Sequence, residues 1–208
     1  MNFSPVPDFA RRQNKALDLR RLHKLSRSSC NHTRFSNVAE LDLDEAKYAL
    51  SQAALATGWN TTTLRDYLAK GVFPWREGDV PAKVQGGKAV IPLRSVLRLA
   101  IAYQFWSLGI SPKDAFLAAL AFCDDGTPEN ASQGTPYRAP GTLFSGDVTT
   151  LLVWKRGHNG EVVPLQNGKI SDVAELTSDP FNGAPGAVAV ANVSEVWSHI
   201  ARALKIEA

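Results

Sequence analysis

Four histidines and two cysteines are the residues of this 208-residue chain best suited to hold a metal or act as nucleophiles, and their spacing gives them no shared task. His23, His32, His158 and His199 are scattered, and no pair stands at the separation of metal ligands. Cys30 and Cys123 are far apart, which suits two free thiols in a reducing compartment. Ser145-Gly146-Asp147 lacks the glycine-flanked turn of a hydrolase nucleophile, and Gly86-Gly87 lacks the spacing of a phosphate loop. No catalytic constellation, metal site or cofactor is therefore expected. What does line up is a series of hydrogen-bond donors and cations. Thr61, Thr62, Thr63, Arg65, Tyr67 and Lys70 fall within three turns of a helix, and Arg76, Lys83 and Lys88 follow. Hydroxyls, ammonium groups and a guanidinium that can fork onto two acceptors bind a polyanion without altering it.

Those residues need elements to hold them. Leu50, Ala54 and Leu55 recur at helical spacing and stop at Thr57-Gly58, where glycine can take the positive φ of a helix end. Asn60 offers a side-chain oxygen to cap the next helix, which runs through Leu64, Tyr67 and Leu68 to Gly71. Two helices joined by so tight a turn share one small core, leaving the second with an outward edge of Thr61, Thr62 and Arg65. Val84 and Val90-Ile91 flank Gln85-Gly86-Gly87-Lys88, the pattern of a hairpin with Lys83 and Lys88 near its tip. Trp75 is expected to seal the core beneath that hairpin. Pro92 opens a helix bearing Leu93, Val96, Leu97, Ala100, Ile101 and Gln104 along one side. After Gly109, Ser111-Pro112-Lys113-Asp114 carries the cap and first-turn residues of another helix, with Phe116 and Leu120 on its apolar face. Tyr103, Phe105, Trp106 and Phe116 are read as core or subunit contacts in preference to the lining of an effector pocket.

Charge is distributed unevenly. Residues 1–39 carry a net +6, residues 40–46 a net −4, residues 47–113 a net +6 and residues 114–208 a net −5. A basic half joined to an acidic one suits a polyanion binder coupled to a region with another job. The pattern from Phe9 to about Leu25 is helical and places Arg11, Arg12, Arg20 and Arg21 around a stripe of Leu17, Leu22 and Leu25. This segment reads equally as a basic arm that meets phosphates and as a solvated amphipathic helix packed on the body or a disordered tail. The Ser- and Asn-rich residues 26–37 read as a linker. The acidic run Leu41-Asp42-Leu43-Asp44-Glu45 suits the first turn of a helix, where carboxylates meet the positive end of the dipole.

The order of a small helix, Thr63-Leu64-Arg65-Asp66-Tyr67, Lys70-Gly71, a variable loop, a helix over residues 92–107, Leu108-Gly109-Ile110-Ser111-Pro112 and another short helix resembles the DNA-binding domain of the mercury-resistance-regulator (MerR) family. The resemblance covers about residues 47–122. It departs at Asp66, where the family commonly has a second aromatic, at Lys88-Ala89, where it commonly has an arginine, and after Phe122, where its long dimerising helix is missing. It implies a winged helix-turn-helix that binds duplex DNA, with Thr62 and Arg65 nearest the bases and Tyr67 and the wing lysines on phosphates.

Residues 123–141, rich in Gly, Pro, Thr and Asp, read as a linker and domain boundary. Beyond them Thr149–Lys155 reads as a strand, His158-Asn159-Gly160 as a turn and Glu161–Leu165 as its hairpin partner. Ile170–Leu176 is too short to assign. Residues 187–193 read as a buried strand, and Ser194 is expected to cap a final helix bearing Trp197, Ile200, Ala201 and Leu204. The expected fold class is α+β: an arm over residues 1–39, a winged helix over 40–122, a linker over 123–141 and a small α+β domain over 142–208.

The function expected is sequence-specific binding of double-stranded DNA by a bacterial or mobile-element transcription regulator. Its second region is assigned to homodimerisation, a protein partner or a small effector. The alternatives are an architectural protein such as an excisionase or antitoxin, an adaptor that binds no DNA, and an unrecognised C-terminal enzyme. No apolar run nears the ~20 residues of a membrane span, and no secretory signal opens the chain, so a cytoplasmic, nucleoid-associated protein is expected.

Overall fold

The computed structural model describes residues 41–83, 87–129, 136–146, 148–155, 159–165 and 188–206. The basic arm with Arg11, Arg12, Arg20 and Arg21, the linker over 26–37, the hairpin turn at 84–86, His158 and residues 170–176 lie outside them. A short strand β1 (Ala46–Ala49) runs directly into α1 (Leu50–Thr57), and a three-residue turn leads to α2 (Thr61–Ala69). Strand β2 (Val90–Pro92) pairs antiparallel with β1 and runs directly into α3 (Leu93–Ser107), which is followed by α4 (Pro112–Cys123). Strands β3 (Thr149–Lys155), β4 (Glu161–Leu165) and β5 (Val188–Asn192) form an antiparallel sheet in the order β4-β3-β5, and α5 (Val193–Leu204) follows. The fold is α+β.

Local chemistry explains most of these boundaries. Gly58 ends α1 with φ of 86°, and a Cβ there would sit 2.9 Å from the Tyr103 ring, so both backbone and packing require glycine. The Asn60 side chain accepts from the Thr62 and Thr63 amides, as its position predicts. Ser111 likewise accepts from the Asp114 amide at the start of α4. At α5 the cap is Asn192, whose oxygen accepts from Glu195 N. Ser194, expected in that role, lies one residue inside the helix and accepts from the Thr150 amide, tying α5 to β3.

Two further expectations are corrected. The acidic residues 41–45 open no helix: they precede β1, and Asp44 turns its carboxylate to Arg94 on α3. Val90 pairs across with Val80, their amides and carbonyls exchanging bonds of 2.8 and 3.0 Å, and the expected turn beyond that bridge falls outside the described residues. Leu55, placed by periodicity on the apolar stripe of α1, is 86% exposed, because alanines 53, 54 and 56 already fill the contact.

A single hydrophobic cluster joins both halves. Leu152, Ala191, Val193, Val196, Trp197 and Ile200 pack with Ala53, Leu64, Leu97, Ile101 and Phe122. At the β3–β4 hairpin, a Cβ on Gly160 would come within 2.5 Å of the Ala118 carbonyl oxygen. The hairpin therefore lies against the body of α4 with no room for a side chain at that point.

Candidate nucleic-acid interface

Helix α2 has one side fixed and one side free. Leu64 is fully buried, Thr61, Thr63, Tyr67 and Leu68 are half-buried, and Thr62, Arg65, Asp66, Ala69 and Lys70 are exposed. Positions 62, 65, 66 and 69 recur at three- and four-residue steps, so they form one continuous stripe. Within it Lys70 Nζ donates to Asp66 Oδ2 at 2.7 Å, which neutralises both charges locally. Among the described residues Arg65 takes no ion-pair partner. Tyr67 stands edge-on to Trp59 and Phe73, with ring centroids 5.8 and 5.1 Å away.

Trp59, which the sequence reading passed over, is the residue that holds this arrangement. It sits in the turn between α1 and α2, is buried, and donates its indole N–H to the Leu99 carbonyl at 2.9 Å. Tyr67, Phe73, Tyr103 and Trp106 surround it with centroids at 4.9–5.8 Å. A ring this size in a three-residue turn fixes the angle at which α2 leaves α1. Phe73 stacks on Phe116 in turn; of the expected aromatic group Phe105 and Phe116 are core, Tyr103 is half-buried and Trp106 is exposed. Trp75 is half-buried against the same cluster.

The loop from Arg76 to Val90 carries exposed Lys83 and Lys88 on either side of the residues not described. Arg76 behaves differently. Its guanidinium is bonded to Asp124 at the end of α4, so it is engaged within the fold.

That helix end is the second concentration of charge, and its members escaped the sequence reading. Arg94 forks onto Asp44 and also donates to the Cys123 carbonyl at 2.6 Å. Arg98, 3% exposed, donates to Asp124 at 2.6 Å and to Ser95 at 3.0 Å. Arg138, only 1% exposed, donates to the carbonyls of Ala121, Phe122, Asp125, Ala139 and Thr142 and lies over the Phe122 ring. The last carbonyls of a helix lack partners along the chain and carry its negative pole, and here arginines supply both donors and charge. The segment read as a linker thus contributes one of the most buried side chains in the molecule.

Ionisation follows these contacts. The Arg94 hydrogen bond holds the Asp44 carboxyl below its ordinary range, and the same bond raises Arg94. Burial lowers Arg138 and pushes the Cys123 thiol up to about 12.

A cleft of about 460 Å³ opens between the end of α1, Tyr103 and Gln104 of α3, and Glu195, His199 and Arg202 of α5. His199 Nε2 lies 3.2 Å from the Ala56 carbonyl oxygen at its edge. Among the described residues no group of three His, Cys, Asp or Glu side chains is placed to hold a metal, and no helix is long and apolar enough to cross a membrane. No protein-family model matches the chain, and no curated protein matches it significantly.

Proposed function

We propose that the chain binds double-stranded DNA sequence-specifically and regulates transcription, with the stripe on α2 as the reading edge. The observation that carries this is Arg65. It is an exposed guanidinium without an ion-pair partner among the described residues, on a short helix capped by Asn60 and braced by Leu64 and Trp59. Such a group can fork onto guanine O6 and N7 in a major groove, with Thr61, Thr62 and Thr63 at the leading end of the helix and Lys83 and Lys88 on neighbouring phosphates. Lys70 and Arg76 contribute less on this reading, because Asp66 and Asp124 already hold them. Tyr67 supports the helix through its ring, and its hydroxyl is the part assigned to a phosphate.

The basic residues Arg11, Arg12, Arg20 and Arg21 add sequence-independent affinity in this scheme. Homodimerisation and any small effector or protein partner belong to the C-terminal region, and the protein works at the nucleoid. The test begins with genome-wide mapping of bound DNA, which separates a regulator with discrete sites from an architectural protein and from an adaptor with none. On the preferred site, Arg65→Ala should cut affinity at least tenfold, consistent with the roughly 1–3 kcal/mol of a bidentate base contact, and relax selectivity at one position. Equal binding by parent and variant would refute the docking.

A further inference from the structure

We infer that Asp124 is a positioning residue for the wing, the loop from Arg76 to Val90. Its two carboxylate oxygens serve two arginines from different elements: Oδ1 accepts from Arg98 on α3 and Oδ2 from Arg76 at the base of the loop. The circuit then closes on itself. Arg98 donates to Ser95 Oγ at 3.0 Å, and Ser95 donates to Asp79 Oδ1 at 2.6 Å. Asp79 Oδ2 accepts from the Arg76 amide at 2.7 Å, which returns the ring to its start. Both charged termini of the loop's first turn, Arg76 and Asp79, are therefore fixed by residues of α3 and α4.

The position of this ring gives it leverage. The Val80–Val90 bridge begins one residue after Asp79, and Val90 leads straight into β2 and α3. The Val80–Val90 bridge ties the two legs to each other, and the ring fixes the base of the first leg to α3 and α4. Lys83 and Lys88 extend from between these legs. An asparagine at position 124 offers one acceptor and a pair of donors facing two cations, so it cannot substitute for the carboxylate. Arg98 sharpens the dependence, because its side chain is 4% exposed and its Nε has no partner among the described residues. Asp124 is the one acid it pairs with there, and a buried guanidinium deprived of its acid drives local rearrangement. The same helix end is capped by Arg138, so the loop's base and the segment around residue 138 are anchored to one point.

The mechanical claim stands without DNA; its consequence for the wing lysines rests on the function proposed above. The experiment is amide hydrogen exchange on the full chain, comparing the parent with Asp124→Asn and Arg76→Gln. In Asp124→Asn the Val80 and Val90 amides should exchange at least tenfold faster, while the β3–β4 ladder keeps its protection. Arg76→Gln leaves the Arg98–Asp124 pair in place and should accelerate the same two amides about threefold without lowering the melting temperature, so it decides the matter if Asp124→Asn folds poorly. Unchanged Val80 and Val90 in both variants, or acceleration spread evenly over the molecule, would overturn the inference. With DNA added, the effect of Lys83→Ala on affinity should shrink in the Asp124→Asn background, and strict additivity would count against positioning. A parent protein that binds no DNA would defeat the functional reading and leave the exchange result intact.

Discussion

Arginine serves opposite purposes at two places in this fold. On α2, Arg65 stands in solvent with its charge uncommitted among the described residues. At the end of α4, Arg94, Arg98 and Arg138 turn the same group inward onto carboxylates and carbonyl oxygens. The difference lies in what surrounds the stem. Helix α2 buries Leu64 and needs nothing from its far side, whereas α4 ends inside the protein, where its unpaired carbonyls have no water to turn to. An arginine is available for recognition only where the fold has not already claimed it.

The sharpest way to break this contrast is at Arg138. Arg138→Ala removes a donor from five carbonyls at once, two of those bonds buried, and should destabilise the protein by about 3 kcal/mol in urea unfolding. Arg138→Lys should recover only part of the loss, since an ammonium cannot fork across that arc of oxygens. Near-parental stability of the alanine variant would mean that the helix end is satisfied some other way.

A smaller effect is expected at Asp44. Arg94 depresses its pKa in the folded state, so the pair stabilises the protein above the ordinary carboxyl value of 3.8 and that contribution disappears as pH falls through the lower folded value. Asp44→Asn should therefore narrow the gap between the stabilities at pH 6 and pH 3, read from urea midpoints. Because the carboxylate is largely exposed, the change should be modest, and an unaltered pH dependence would show that water screens the pair completely.

The smallest effect belongs to Arg65. Arg65→Ala should leave stability within roughly 0.5 kcal/mol of the parent, as for other surface positions without structural partners. A larger loss would place Arg65 among the structural arginines and dissolve the comparison.

The local elements were legible because their signals are local. Gly58, Asn60, Gly71 and the Ser111-Pro112 start act within one helical turn of themselves, and short apolar runs at Thr149–Lys155 and Glu161–Leu165 on either side of a Gly-containing turn mark a pair of strands. The donors on α2 were readable for the same reason: Leu64 fixes which side faces in. What stayed hidden depends on partners far away in sequence. Arg94 meets Asp44 fifty positions earlier, Arg76 meets Asp124 forty-eight later, and Trp59 bonds to Leu99 forty later. Arg138 was the hardest to find, because a run of Gly, Pro and Thr around it has the composition of a linker. Composition reports how easily a segment bends and says nothing of one side chain that threads into a core. The acidic run misled for a related reason. Carboxylates suit the start of a helix, but they suit a waiting guanidinium as well, and only the tertiary fold decides between them.

Cys123 lies at the last turn of α4, beneath the arginines, with its thiol fully buried and held protonated up to about pH 12. It is therefore a silent clock inside the molecule. In a Cys30→Ser background, a thiol-alkylating reagent added to the native protein near pH 8 can reach Cys123 only when the helix end opens, so the labelling rate reports those openings. If a ligand, a partner or DNA tightens that end, the clock slows, and a single mass measurement over time reads the change without any assay of function.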